Sequence, residues 1–217
     1  ETPSPNFGDR RNGDTVSMLV IHYTGMRSAA ESLARLCDPA AEVSAHYLIT
    51  EAGDVHHLVS EEKRAWHAGL SQWRGEKDVN SRSIGIELQN LGHEFGYQPF
   101  PTAQIDSLIN LAKGILDRHN IPASGIVGHS DIAPDRKLDP GELFPWPALA
   151  EADIGVFPKA GIDTQEHLDS LLTRIGYDPM AENRISAFQR RFRPDRIDGQ
   201  PDMACQRLAA AYLADLS

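Results

Sequence analysis

The sequence predicts an α/β (mixed α+β) fold: a central mixed β-sheet flanked by helices, followed by a small three-helix module. Three observations carry this. Strand-like apolar runs and amphipathic helical stripes interleave through the first two thirds without a regular βαβ alternation, the pattern of a mixed sheet with helices on its faces. The character changes after Trp146: residues 163–217 carry three helical patterns and no strand. Between these parts, residues 126–146 run from the apolar pair Ile126-Val127 through Gly128 into a stretch holding His129, Asp131, Asp135, Lys137 and Asp139 with three prolines. Proline fixes φ and removes a donor, so this stretch is neither a long helix nor a central strand. It reads as a rigid loop that leaves a strand end and aims polar side chains at one place.

Length and composition set the frame. The 217 residues allow one medium domain, or one domain with a smaller one. An apolar content of 41% permits a real core, yet no apolar run approaches the roughly 18–20 residues of a membrane helix. A formal charge of −10 argues against nucleic acid or an acidic membrane surface as partner. Cys37 and Cys205 are far apart and match no CxxC or paired spacing, so neither a thiolate metal site nor a disulfide framework is indicated. The chain opens at Glu1 with no signal-like apolar segment, as expected of a trimmed or mature form.

Taken in order, residues 1–15 are polar, lack periodicity and read as an arm over the surface. Residues 16–24 read as a buried strand, with Met18, Val20 and His22 on one face and Leu19, Ile21 and Tyr23 on the other. A short helix follows over 28–37, with Ala29, Leu33 and Leu36 at helical spacing. Strands 45–50 and 55–59 flank Glu51-Ala52-Gly53-Asp54, a hairpin signal. Residues 81–90 form another strand, Ile84, Ile86 and Leu88 facing one way and Gly85 and Glu87 the other. A loop with aromatics covers 92–101. Thr102 caps a helix reaching about His119, with Ile105, Leu108, Ile109, Ala112 and Leu116 as its stripe. Residues 147–160 read as a linker, which places domain boundaries at 1–155 and 156–217. The last three helices are marked by Leu168, Leu171, Leu172 and Ile175, by Ile185, Phe188 and Phe192, and by Leu208, Ala211, Tyr212 and Leu213. A unit this small has little core, so it docks on the first domain or is marginal alone.

Chemistry concentrates on a few of these positions. His22 and His129 each end an apolar strand before a polar loop, and Asp139 follows ten residues after His129. Two histidines and a carboxylate leave a fourth position open, as a catalytic zinc requires. Each also has a plain reading: a hydrogen-bonded core histidine, or an Asx turn at Asp139 before Pro-Gly. Glu87 stands in an otherwise apolar strand, where an acid is costly unless partnered or functional. It could accept a proton from an attacking water, or simply pair with Arg82. Lys137, two residues before Asp139, could stabilise an oxyanion or be a solvated loop lysine.

The motifs narrow these alternatives. Val-Ile-His-Tyr-Thr (20–24), Ser-Ala-His-Tyr-Leu-Ile (44–49), Ala-Trp-His-Ala-Gly (65–69), Ser-Ile-Gly-Ile-Glu-Leu-Gln-Asn (83–90) and Gly-His-Ser-Asp-Ile-Ala-Pro-Asp-Arg-Lys-Leu-Asp-Pro-Gly (128–141) occur in this order. Together they resemble the zinc-dependent N-acetylmuramoyl-L-alanine amidases of the AmpD/AmiD type, a fold shared with peptidoglycan-recognition proteins, over about residues 5–150. The resemblance implies zinc ligands at His22, His129 and Asp139, a catalytic acid/base at Glu87, a transition-state lysine at Lys137, and positions near the substrate at Tyr23 and His67. His46 also matches a family position and reads as structural.

The tail resembles a small peptidoglycan-binding three-helix module through Ile-Gly-Tyr (175–177), Phe-Gln-Arg-Arg-Phe-Arg-Pro-Asp (188–195) and Ile-Asp-Gly (197–199). The acidic overall charge departs from that of a strong cell-wall binder.

The implied activity is hydrolysis of the amide between the lactyl group of N-acetylmuramic acid, or its 1,6-anhydro form, and L-Ala of the stem peptide. The partners implied are peptidoglycan or soluble muropeptides, and the chain is expected to act as a monomer. No covalent intermediate is required, so Cys37 and the serines are expected to be dispensable. Arg64, Arg74 and Arg82 are candidates for a stem-peptide carboxylate, because guanidinium pairs with carboxylate bidentately. Cytoplasmic recycling of fragments is the expected setting, with a periplasmic role as the alternative. The competing class is a muropeptide-recognition protein of the same fold that does not cut.

Overall fold

The computed structural model describes residues 3–216. In chain order the strands are β1 (Phe7–Asp9), β2 (Met18–Tyr23), β3 (Tyr47–Ile49), β4 (Val55–His57), β5 (Lys63–Ala65), β6 (Gln72–Trp73), β7 (Glu76–Lys77), β8 (Ser83–Leu88) and β9 (Ile126–Gly128). The helices are α1 (Ala29–Cys37), α2 (Val79–Arg82), α3 (Gly92–Phe95), α4 (Thr102–Arg118), α5 (His129–Ile132), α6 (Trp146–Glu151), α7 (Leu168–Ile175), α8 (Arg184–Phe192) and α9 (Met203–Asp215). None of the described helices is long and apolar enough to cross a membrane.

Five strands form the central sheet in the order β4-β3-β8-β2-β9. The pairs β3–β8, β8–β2 and β2–β9 are parallel and β3–β4 is antiparallel, so the sheet is mixed as the sequence predicts. Strand alternation sorts the residues by face. Leu19, Ile21, Ile84, Ile86, Leu88 and Ile126 pack with Ile105, Leu108, Ala112 and Ile115 of α4 and with Trp146 and Leu149 of α6. Met18, Val20 and Val127 face the other way and share one cluster with Leu171, Leu172 and Ile175 of α7, Phe188 and Phe192 of α8, and Ala209 and Tyr212 of α9. The three C-terminal helices thus bury their apolar stripes against the sheet.

Three expectations change. The N-terminal arm does not merely lie on the surface. β1 pairs with β5, Ser4 Oγ donates to the Leu36 carbonyl (2.5 Å), and Asn6 Nδ2 donates to the carbonyls of Asp38 and Val43 (both 2.8 Å). Arg10 donates to the carbonyls of Glu61, Ser81 and Ser83. Residues 147–151, read as the start of a linker, belong to α6 (Trp146–Glu151). Thr102 is the first residue of α4, with Pro101 rather than Thr102 at the cap position.

A carboxylate locks α4 to the sheet. Glu61 accepts hydrogen bonds from Tyr47 Oη (2.7 Å) and Arg118 Nη2 (2.7 Å) and lies 2.7 Å from His119 Nε2. Burial pushes its pKa up, but Arg118, Tyr47 and His119 outweigh burial and hold the carboxyl at about 2. A folded-state pKa below the unfolded value gives stability that is complete above the unfolded pKa and lost as pH falls through the folded one. At about 1.4 kcal/mol per unit, the network contributes on the order of 3 kcal/mol at neutral pH, lost between about pH 4.5 and 2. Glu61→Gln is therefore expected to lower unfolding free energy by about 2–3 kcal/mol at pH 7 and by much less near pH 2. Urea titrations across that range check this, and a deficit that stays constant with pH would contradict it.

Candidate active site

The polar residues of the sheet gather at the carboxyl ends of its parallel strands, where open α/β sheets form their crevices. His22 is the fifth residue of β2 and pairs in register with Glu87 of β8, so the two side chains stand side by side on one face. Gly128 of β9 pairs with Ile21, which puts His129, the next residue, beside His22. The turn from β9 into α5 is tied by the Gly128 N–H, which donates to Asp131 Oδ2 (2.8 Å). A Cβ on Gly128 would stand 2.7 Å from Pro140 Cδ, so glycine lets the returning loop close on the strand end. The Ser130 N–H donates to the Asp139 carbonyl (2.8 Å), which fixes the returning residue. The Asp139–Pro140 peptide bond is cis.

His22 Nδ1, His129 Nδ1 and Asp139 Oδ2 form a triangle with edges of 2.9, 3.0 and 3.0 Å. All three residues are buried. The outer partners fix the histidine tautomers. His129 Nε2 lies 3.1 Å from the Ala68 carbonyl, which can only accept, so Nε2 carries the proton and Nδ1 a lone pair. Ser83 Oγ donates to the Val79 carbonyl (2.7 Å) and therefore accepts from His67 Nε2 (3.1 Å). His67 Nδ1 then accepts from His22 Nε2 (3.0 Å), leaving a lone pair on His22 Nδ1. Burial, reinforced by His129, lowers the His22 pKa to about 4, and burial also holds His67 well below the ordinary value, so both rings are neutral. Burial pushes Asp139 up, but His129 and His22 beside it hold its carboxyl well below the usual range. In the neutral tautomers that these partners select, three lone-pair donors converge on one point, a donor set that suits a cation. These residues are the one group of three or more His, Cys, Asp or Glu residues among the described residues whose atoms could hold a metal ion. Tetrahedral zinc bonds of about 2.0–2.2 Å separate ligand atoms by about 3.3–3.5 Å, close to these edges.

Above the triangle lies a cleft of about 460 Å³ whose walls include Tyr23, Trp66, Glu87, Lys137 and Asp139. Glu87 Oε2 is shielded from solvent and has no hydrogen-bond partner. Burial and then the charge of Asp139 push the Glu87 pKa well above the ordinary value, against the pull of Lys137. The structure thus brings His22, His129, Asp139, Glu87 and Lys137 around one cleft. Tyr23 lines it too and donates to His93 Nδ1 (2.8 Å), whose Nε2 donates to Glu142 (3.1 Å). Burial, with the charges of Asp139 and Glu142, raises the Tyr23 phenol to about 12.

His67 also lines the cleft and is buried, with both ring nitrogens engaged by His22 and Ser83. Its ring lies over Gly85, where any Cβ would overlap it. His46 is fully buried; its Nδ1 accepts from the Gly85 N–H (3.0 Å) and its Nε2 donates to the Lys63 carbonyl (3.1 Å). The arginines expected at a carboxylate lie elsewhere. Arg64 pairs with Asp78, Arg82 pairs with Glu76, and Arg74 donates to the Ile175 carbonyl. The cleft's guanidinium groups belong to Arg35 and Arg136. His93, in the single-turn helix α3, and Glu142, in a loop, belong to no periodic sequence pattern and stand 49 residues apart, so the sequence carries no signal of their pairing.

A family model described as Amidase_2, N-acetylmuramoyl-L-alanine amidase, matches residues 12–142. The chain is 41% identical to N-acetylmuramoyl-L-alanine amidase AmiD of Escherichia coli strain K12, over 91% of this chain and 82% of that protein. It is similar to the structure of E. coli AmiD in complex with the substrate anhydro-N-acetylmuramic acid-L-Ala-D-γ-Glu-L-Lys, with a TM-score of 0.82, 39% identity, and 92% of this chain and 89% of that one covered. It is similar also to AmpDh3 of Pseudomonas aeruginosa in complex with anhydromuramic pentapeptide, with a TM-score of 0.81, 33% identity, and 96% and 93% covered.

Proposed function

Because the chain belongs to the N-acetylmuramoyl-L-alanine amidase family, we propose that His22, His129 and Asp139 hold a zinc ion beside which Glu87 and Lys137 carry out hydrolysis. The enzyme cleaves the amide between the lactyl carbonyl of N-acetylmuramic acid and L-Ala of the stem peptide. The observation that carries the zinc reading is the triangle of three lone-pair donors at the cleft floor, with two of its members locked in the ligating tautomer from behind. Bound there, zinc supplies a Lewis acid for the scissile carbonyl and acidifies water.

Glu87 takes the proton of the attacking water and hands it to the amine that leaves on L-Ala. Its Oε2 has no competing partner, so the carboxylate is free to face the reacting atoms. A dication in the triangle would also oppose the burial and the Asp139 charge that hold the Glu87 proton on. Lys137 lines the cleft and faces the carbonyl oxygen as it gains negative charge. Tyr23, anchored through His93 to Glu142, orients the muramoyl end of the substrate. His67 orients His22 through the hydrogen bond from Nε2.

The substrate class follows from the relatives: AmiD and AmpDh3 are each seen with an anhydromuropeptide, and we extend that class to this cleft. Mass spectrometry of products from an anhydromuropeptide and from intact wall, with chelator and with zinc restored, tests the reading. Free stem peptide beginning at L-Ala, lost with chelator and regained with zinc, is the expected result. Preference for the soluble fragment would fit recycling in the cytoplasm, and preference for the wall a periplasmic remodelling role. Tight binding without cleavage would move the protein to the recognition class.

A smaller substitution probes the support of His22. Gly85→Ala places a methyl group inside the His67 ring and displaces it. Loss of such an outer hydrogen bond typically weakens metal binding by about 10–100-fold. Zinc competition against a chelator is expected to show a loss of that size, and an unchanged Kd would remove His67 from its role.

A further inference from the structure

We propose that the three C-terminal helices act as a brace on the loop that presents His129 and Asp139, with Arg191 as a positioning residue that works through Asp131. This rests on the zinc reading of the triangle. Three acidic residues of the loop are held by the helices. Asp131, two residues past His129, is buried and accepts from Tyr177 Oη (2.7 Å), from Arg191 Nη1 (2.8 Å) and from the Gly128 N–H (2.8 Å). Asp135 accepts from the Asn183 N–H (2.8 Å), from Asn183 Nδ2 (3.1 Å) and from the Glu182 N–H (3.3 Å) at the start of α8. Glu142, just beyond Asp139, lies 3.6 Å from Arg190 Nε and also carries the His93–Tyr23 chain of the cleft wall. The ligand-bearing segment is therefore held between and after its two ligands.

The central link is costly to build for docking alone. Arg191 and Asp131 are both buried, and the Arg191 guanidinium lies 4.0 Å over the Trp146 ring and 4.9 Å over that of Phe192. An apolar pair would join the helices to the sheet as well or better, because burying two charges forfeits their hydration. What the ion pair adds is direction. Arg191 Nη2 also donates to the Ile126 carbonyl (3.1 Å), so one guanidinium grips the backbone entering the turn and the carboxylate that closes it. Among the described residues, none of those lining the cleft comes from α7, α8 or α9. Their influence on the reaction is therefore indirect, and the hydrogen bonds to the loop give it a direction that packing against β2 does not.

The test uses the full chain, zinc alone as the probe, and kcat and KM on a soluble anhydromuropeptide. Arg191→Met removes the central link, and Asp135→Ala removes the exposed one at little risk to folding. Leu171→Ala removes buried volume from the same helices without touching any of these hydrogen bonds. Zinc Kd is expected to rise by about 10-fold in Arg191→Met and about 3-fold in Asp135→Ala, with kcat falling and KM within about twofold of wild type. Leu171→Ala is expected to lower Tm and leave zinc Kd unchanged. If Arg191→Met does not fold, Asp135→Ala decides. Wild-type Kd and kcat in the brace variants would overturn the proposal. So would a rise in Kd for Leu171→Ala as large as for Asp135→Ala, since the helices would then add only general stability. A wild-type chain that binds no zinc would overturn the zinc reading itself, and this proposal with it.

Discussion

Glu87→Gln is expected to lower kcat by about 10³-fold or more while zinc Kd stays within about threefold of wild type. The amide keeps the shape of the carboxylate, but it cannot take a proton from water or return one to the leaving amine. Nothing in the surrounding structure depends on the charge: Oε2 has no hydrogen-bond partner, and the strand register that places residue 87 beside His22 is set by backbone pairing. The charge is in fact unfavourable where it lies. Burial and the neighbouring Asp139 both push the Glu87 pKa up, so a neutral amide relieves a cost that the folded protein otherwise bears. The variant is therefore expected to be as stable as wild type, or more so, in the metal-free state. This combination of lost turnover, retained metal and undiminished Tm marks a residue kept for chemistry at the expense of stability. Single-turnover product analysis, zinc competition and thermal melts measure the three quantities. An active Glu87→Gln enzyme would remove the base from the mechanism.

The parts of this fold legible in the sequence are those built by repeating apolar patterns. β2 shows a continuous apolar run and β8 an alternation, and α4 and the three C-terminal helices show helical stripes, so their existence and approximate limits could be read directly. β1 could not. It is held by Ser4, Asn6 and Arg10 bonding to distant carbonyls, and polar side chains without periodicity carry no signal of where such bonds will go. α6 was hidden by Pro145, read in the rigid loop, and Pro147, read in the linker; at the start of a helix, proline forfeits no hydrogen bond. β6 and β7 are two residues each, too short for any pattern.

The site divides along the same line. His22 and Glu87 stand out because strand alternation puts an imidazole and an acid where apolar residues belong, and His129 and Asp139 because prolines stiffen the loop between them. The resemblance to the amidases then supplied their implied roles. The supporting contacts are invisible in one dimension. His67 reaches His22 across 45 residues, and Arg191 reaches Asp131 across 60. The arginines show the cost of judging side chains without their neighbours: Arg64 and Arg82 are already paired with Asp78 and Glu76, whereas Arg35, on the exposed side of an amphipathic helix, lines the cleft.

Asp139→Ala is expected to weaken zinc binding by on the order of 10²–10³-fold, the share of one ligand among the four in a site whose metal is worth about 10–16 kcal/mol. The loss has two origins. One of the three protein donors disappears, and so does the only negative charge among them, leaving two neutral imidazoles to hold a dication. The fold has little reason to fail. Ser130 N–H donates to the backbone carbonyl of residue 139, which the substitution keeps, and Pro140 still packs against Gly128. Among the described residues, the side chain hydrogen-bonds only to the two histidines, whose other nitrogens remain fixed by Ala68 and His67. Asp139→Ala should therefore match chelator-treated wild type in activity and recover in part at high zinc, whereas Glu87→Gln should not respond to zinc at all. Asp139→Asn separates charge from shape: it restores the volume and an oxygen, but the neutral amide is a poor ligand, so its zinc Kd is expected to lie much nearer to Asp139→Ala than to wild type. Equilibrium dialysis with zinc at fixed pH, paired with turnover of the anhydromuropeptide, measures both effects. Full zinc occupancy in Asp139→Ala under conditions that just saturate wild type would refute the ligand assignment, because His22 and His129 alone would then suffice.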